Sequence, residues 1–281
     1  MKLSIYTKIK NGLRFDYHIA YMLRHHARYV EEIVVNEGGS TDGTLAAIQN
    51  IDPKIKIIQS NWDFVARGDH CASPKNLARQ QCTGDWCILV DADEFIPEWE
   101  FAKLRALLEQ SKDDILPVRF LHFYGNYRVC QNQNGARSVP PIYGYRIHRN
   151  DPAITAWGDA SNVRDVRSKW PPPPDHGVIE VHHFGEVRHP ARLRQKWNIQ
   201  AKRHGKGISW LRLPSWLFSM FPHRWLDPDS LSCLSVYEGE IMEIVRNNPD
   251  EFVRDGWRTL KYLNEVAQRR QLETKLANPG R

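Results

Sequence analysis

The sequence predicts an α/β fold with a mostly parallel central sheet covered by helices, and three observations carry that expectation. Short apolar runs at residues 3–7, 32–36, 55–59 and 86–90 are bounded by turn residues and read as strands. Segments with helical spacing alternate with them, as parallel strands require. The most polar motifs sit directly behind two of the runs, and ligands of such sheets bind outside the carboxyl ends of the strands.

The elements follow in order. Residues 16–30 carry Ile19, Met22, Leu23, Ala27 and Val30 at helical spacing. A short helix spans 42–49, with Asp42 placed to cap it, and another spans 74–81. After Pro97 a helix runs to about residue 110, with Phe101, Leu104, Leu107 and Leu108 on one face. Strands are expected at 116–124 and 143–149, joined by a polar stretch over 125–138. Pro171-Pro172-Pro173-Pro174 is a stiff extended connector. A strand follows at 178–184, then a helix at 190–203, an aromatic-rich stretch, and two C-terminal helices near 230–245 and 250–273.

Composition bounds the setting. No stretch approaches the ~20 apolar residues of a spanning helix, and the start of the chain lacks the apolar region of a signal peptide. The five cysteines are odd in number and show no CxxC pairing, which argues against a disulfide framework and for a reducing compartment. A cytoplasmic location is expected. The net charge of +6 is uneven: residues 187–226 contain no Asp or Glu but nine Lys and Arg, so the rest has 30 basic against 33 acidic residues. A localised basic segment attracts anionic partners.

Asp91-Ala92-Asp93-Glu94 follows the apolar run Trp86-Cys87-Ile88-Leu89-Val90. If the strand continued, Asp91 and Asp93 would point the same way one pleat apart. Like charges held that close repel unless a cation lies between them. Hard oxygen ligands suit Mg²⁺ or Mn²⁺, with substrate phosphates completing the shell. The competing reading is a turn whose acids cap the helix beginning near Pro97.

A second motif, Glu37-Gly38-Gly39-Ser40-Thr41-Asp42-Gly43-Thr44, follows residues 32–36 and opens a helix. It lacks the lysine of a P-loop and the spacing of a dinucleotide fingerprint. Taken with Lys75-Asn76 and with Gly84-Asp85-Trp86 leading to the DADE, however, the order resembles GT-A glycosyltransferases of family 2 type. The resemblance covers roughly residues 1–200. It implies a GT-A-like sandwich over residues 1–188, donor-binding over residues 1–97 and acceptor-side over residues 98–188. A basic, Trp-rich helical C-terminal extension would follow at 189–281.

The resemblance also implies a metal-dependent transfer of a sugar from a nucleoside diphosphate sugar, most often UDP-linked, to an acceptor hydroxyl. Thr7 and its neighbours, Glu37, Lys75, Asp91 and Asp93 correspond to donor-binding positions. Most members carry Asp where this chain has Glu37. Asp91 and Asp93, with His183 of Val181-His182-His183-Phe184-Gly185, correspond to the shell of Mn²⁺ or Mg²⁺, while Glu94 orients the loop. Inverting members need a carboxylate base, and the matching stretch Trp157-Gly158-Asp159-Ala160-Ser161-Asn162 offers Asp159, with Asp165 and Glu186 as competitors; the family's usual His-Glu is absent.

The acid-free segment, whose basic residues run from Arg188 to Arg224, also holds Trp197, Trp210, Trp216 and Trp225. Three readings stay open. It lies on anionic lipid, giving peripheral contact at the inner membrane surface and a glycan or lipid-linked glycan acceptor. It binds nucleic acid, with a modified DNA base as acceptor. Or it is a lid packed on the core. A metal-dependent nucleotidyltransferase is the rival activity, although Lys8-Ile9-Lys10-Asn11-Gly12 is a poor version of that class's loop.

Overall fold

The computed structural model describes residues 1–62, 71–131, 142–158, 161–168, 174–203 and 233–277. Ten strands among them share one mixed sheet. Its centre is a parallel set in the order β3 (Ile55–Gln59), β2 (Glu32–Glu37), β1 (Leu3–Ile9) and β4 (Trp86–Leu89). Side-chain alternation sends β1 and β2 into two cores. Leu3, Ile5, Ile33 and Val35 join α1 (Ile19–His26) on one face. Tyr6 and Val34 join Ala72 and Ala78 of α3 (Ala72–Arg79) on the other. Burial on both faces is why these strands read as nearly continuous apolar runs. The helix α2 (Thr44–Ile48) connects β2 to β3.

Beyond β4 the sheet turns antiparallel. The strand β8 (Ile142–Arg149) pairs β4, and β6 (Ile115–Tyr124) pairs β8. β11 (Glu180–Glu186) runs parallel to β6 and antiparallel to the short β5 (Glu94–Phe95). α4 (Glu100–Gln110) buries Phe101, Leu104 and Leu108 in the main core. A separate hairpin, β9 (Ile154–Trp157) and β10 (Asn162–Asp165), packs Ile154, Ala156 and Val163 beside α3.

Two expectations change. Some of the polar connector at 125–138 is the strand β7 (Asn126–Gln131), which covers the edge of β6 and buries Val129 and Cys130. The helix expected over 230–245 is instead the strand β12 (Leu234–Val236) followed by α6 (Glu243–Asn247). Pairing with β7, extended by Tyr237 N–H to the Arg128 carbonyl at 2.7 Å, satisfies the backbone in place of helix bonds. Met242, Val245 and Phe252 join the main core, and α7 (Arg258–Ala277) follows. Residues 171–173 of the proline run lie outside the described residues. Among those described, no helix is long and apolar enough to cross a membrane.

Candidate active site

A cavity of about 360 Å³ opens at the carboxyl ends of β1 and β4, and Asp91, Asp93 and Glu94 line it. The strand does not continue through them. Glu94 N–H donates to the Asp91 carbonyl at 3.0 Å, and the Glu94 carboxylate accepts the Asp91 N–H at 2.7 Å. This closed turn sends the two aspartates to different partners, so the one-pleat alignment expected from strand alternation is not what forms. The Glu94 carboxylate also accepts from Arg146 at 3.1 Å. Burial pushes the Glu94 carboxyl up despite that guanidinium.

Asp91 meets Lys75 of α3 directly and Arg146 of β8 at 3.4 Å. Lys75 is almost fully buried, while a third of the Asp91 side chain stays open, at 33%. Burial alone would raise the Asp91 carboxyl, but Lys75 and Arg146 outweigh it and bring it down to about 2. The neighbouring Asn76 exchanges two hydrogen bonds with the Ala156 backbone at 2.8 and 2.9 Å. Lys75-Asn76 thus holds the DxD turn with one side chain and the β9–β10 hairpin with the next.

Asp93 is buried, and its Oδ2 accepts from the fully buried Arg188. Its Oδ1 faces His183 Nε2 at 3.6 Å, and Lys196 of α5 (Pro190–Arg203) lies 3.9 Å from Oδ2. Burial opposes ionisation, yet His183, Arg188 and Lys196 hold the carboxyl well below its ordinary range. His183 Nδ1 lies 2.6 Å from Nδ1 of His122, its cross-strand partner on β6, so one ring donates to the other. Burial, joined by His183 and Lys196, takes His122 down to about 3. For His183 burial lowers and the Asp93 carboxylate raises, and the net direction is up. Gly185 makes this crowding feasible: a Cβ there would meet His183 Cε1 at 2.5 Å and Lys196 Nζ at 3.2 Å.

Two of the three residues expected to hold a divalent cation are brought together, facing each other across 3.6 Å. Asp93 and His183 adjoin on the cavity wall, a carboxylate and an imidazole of the kind Mn²⁺ accepts. The Asp91 carboxylate is turned to Lys75 and Arg146 and is not brought to them. Among the described residues no group of three or more His, Cys, Asp or Glu converges in this way.

The other expected positions divide. Thr7 is fully buried inside β1, and its neighbours Lys8, Ile9 and Lys10 line the cavity instead. Glu37 is buried too. Its carboxylate accepts N–H groups of Gly39 at 3.1 Å and Ser40 at 2.7 Å, closing its own loop away from the cavity wall. Gly38 lets the indole of Trp62 lie against this loop, since a Cβ would meet its Nε1 at 2.6 Å. Asp159 lies outside the described residues, as do residues 204–226 of the basic segment. Arg188 and Lys196, counted from sequence within a basic face, are inside the site; their side chains are 0% and 12% exposed. Lys8 and Lys10 fall within the expected loop after the first strand, whereas His122 and Arg146 carry no expectation from sequence. The repeated lysines at the end of β1 were the one visible signal.

The glycosyl transferase family 2 model matches residues 21–161, half of the chain, a span that includes Lys75, Asp91, Asp93 and Arg146. The chain belongs to glycosyl transferase family 2. The lipopolysaccharide core biosynthesis glycosyltransferase LpsC of Rhizobium meliloti is 42% identical over 94 residues, 31% of this chain and 31% of that protein. The poly(ribitol-phosphate) beta-N-acetylglucosaminyltransferase TarS of Staphylococcus aureus is 26% identical over 88 residues, 31% of this chain and 15% of that protein. The matched stretch thus spans a third or less of these curated relatives. Among solved structures, glucosyl-3-phosphoglycerate synthase from Mycobacterium tuberculosis with Mn²⁺, UDP-glucose and phosphoglyceric acid is 14% identical, covering 74% of this chain and 81% of that one, with a TM-score of 0.39.

Proposed function

We propose that this family 2 chain transfers a sugar from a nucleoside diphosphate sugar, UDP-linked, to the hydroxyl of a glycan or lipid-linked glycan with inversion. One observation carries the reading: the cavity gathers Asp91 and Asp93 from one turn with Lys8, Lys10, Lys75, Arg146 and Lys196 around them. That is charge suited to a bound diphosphate and not to a neutral ligand. LpsC and TarS, named for a lipopolysaccharide core and for poly(ribitol phosphate), favour an envelope polymer over a DNA base as acceptor.

Asp93 and His183 would hold Mn²⁺ or Mg²⁺, which when bound neutralises charge on the departing diphosphate. Lys196, with Lys8 of β1 and Lys10 just beyond it, adds fixed positive charge in the same cavity, available as the leaving group develops charge. Asp91 is held ionised and oriented by Lys75 and Arg146, ready to accept from donor hydroxyls. Asp159 is proposed as the base that takes the acceptor proton; its support is its place in sequence two residues before the cavity residue Ser161.

The test is a thermal-shift and turnover panel of nucleoside diphosphate sugars with and without Mn²⁺. The expected outcome is stabilisation by a UDP-sugar, enhanced by Mn²⁺, with both enhancement and turnover lost in Asp93→Ala. Asp159→Asn should lower turnover and keep donor binding. Full metal-dependent activity in Asp93→Ala would remove the metal assignment, and indifference to every donor would remove the reading itself.

A further inference from the structure

A second depression, of about 380 Å³, lies between α3 and the β9–β10 hairpin. Ser73, Leu77 and Gln80 of the helix form one wall, and Thr155, Trp157 and Arg164 of the hairpin form the other. Strand alternation explains the division. Ile154, Ala156 and Val163 point into the core, so Thr155, Trp157 and Arg164 share the outward face. Trp157 is 43% exposed and Leu77 41% exposed, while the Arg164 guanidinium sits 5.3 Å from the indole centroid. The two Asn76 bonds to Ala156 fix the walls relative to each other.

Among the described residues the lining contains one cation and no carboxylate. One guanidinium is too little positive charge for a polyphosphate track, and without a carboxylate the groove offers nothing to hold a cation. What it offers is a part-exposed indole, with the Arg164 guanidinium over its ring, beside two hydroxyls and two amides. A pyranose has the matching chemistry: C–H groups on its faces, which are attracted to the negative face of an indole, and hydroxyls at its rim. The volume lies at the small end of the ~300–1,000 Å³ of ligand sites, which suits a short stretch of glycan. The groove also borders the cavity. Trp157 stands opposite Asn162, and Asn162 with Ser161 lines the cavity wall.

We propose that the groove between α3 and the β9–β10 hairpin is a carbohydrate-binding subsite, with Trp157 as its platform and Arg164 and Gln80 at its rim, that holds the acceptor glycan beyond the reacting sugar. This deepens the glycosyltransfer reading and rests on it for the identity of the glycan as acceptor.

The experiment measures binding of three oligosaccharides to the full chain by calorimetry: a delipidated lipopolysaccharide core, an N-acetylglucosamine oligomer and a cello-oligosaccharide. UDP is titrated in parallel. At least one oligosaccharide should bind. Trp157→Ala should weaken it on the order of tenfold or more, as loss of an aromatic anchor does. Trp157→Phe should recover most of the affinity, Arg164→Ala should weaken it less, and the UDP affinity should stay unchanged in all three. Equal oligosaccharide affinity in wild type and Trp157→Ala would overturn the subsite, as would absence of binding to all three by the wild type. Failure of UDP to bind the wild type would instead strike the donor reading, leaving the groove to be decided by the oligosaccharide titrations.

Discussion

Arg188 donates from a fully buried guanidinium to Oδ2 of Asp93, joining the end of β11 to the turn that follows β4. The same guanidinium donates to the carbonyls of Phe15 and Gly185, and it lies over the Tyr17 ring at 3.8 Å from the centroid. With Oδ2 occupied, Oδ1 is left facing His183. Removing one partner of a buried ion pair strands the other charge, at a cost of about 3–5 kcal/mol. Arg188→Met is therefore expected to lower the unfolding free energy by about that amount in urea titrations. Arg188→Lys should recover only some of it, because an ammonium cannot reproduce the planar fork. A loss below about 1 kcal/mol for Arg188→Met would mean that His183 and Lys196 suffice to hold the Asp93 charge, or that it takes a proton.

Gly185 tests the space around His183. No positive φ is recorded there, so alanine meets no backbone obstacle and the substitution isolates the loss of room. The added methyl would press on the imidazole edge that faces Asp93 and on Lys196 Nζ. Gly185→Ala is expected to weaken Mn²⁺ binding by roughly 10–100-fold, the range seen when the orientation of a ligand is disturbed. Titration of the free-Mn²⁺ electron paramagnetic signal reads this directly, and Asp93→Ala serves as reference. Unaltered Mn²⁺ affinity would place the cation away from His183.

Much of this was legible in the sequence because parallel strands buried on both faces leave an unbroken apolar signature. The runs behind β1, β2, β3 and β4 and the acids after Val90 stood out for that reason. The edge elements β7 and β12 did not, since their pairing is set by an open strand edge formed far away in sequence. In the site, His183 could be tied to Asp93 only through the resemblance of its segment to a family pattern, and the two do adjoin. His122 carried no local signal; only the register of β6 against β11 brings it to His183. Arg188 misled for a related reason. A run of basic residues reads as one surface, but burial is decided by tertiary contacts, and this member of the run has none of its side chain exposed.

Acid should destabilise the fold in two separate pH windows, the first of them set by histidines. His148 is buried in β8, where Nδ1–H donates to the Arg149 carbonyl at 2.7 Å and Nε2 accepts from the Tyr6 hydroxyl at 3.0 Å. Burial, opposed by the Arg149 bond and aided by Arg79, takes this imidazole down to about 4. His18, stacked on Phe252, is likewise brought to about 4 by burial and by Arg188. Both folded values lie below the unfolded value of about 6.5. As pH falls through 6.5 the unfolded chain therefore takes up protons that the folded chain refuses, and stability declines until pH reaches about 4. A depression of this size corresponds to about 3 kcal/mol per histidine at the limit, of which roughly 1–2 kcal/mol is lost between pH 6.5 and 5. Asp91, depressed to about 2, acts in the same sense at lower pH. Its contribution is present above the ordinary aspartate value of about 3.9 and is lost only below it, beneath the window of His18 and His148. Urea titrations at half-unit pH steps should show the decline from pH 6.5 to 4, made shallower by His148→Asn. The same slope in that variant would assign the uptake of protons to other groups.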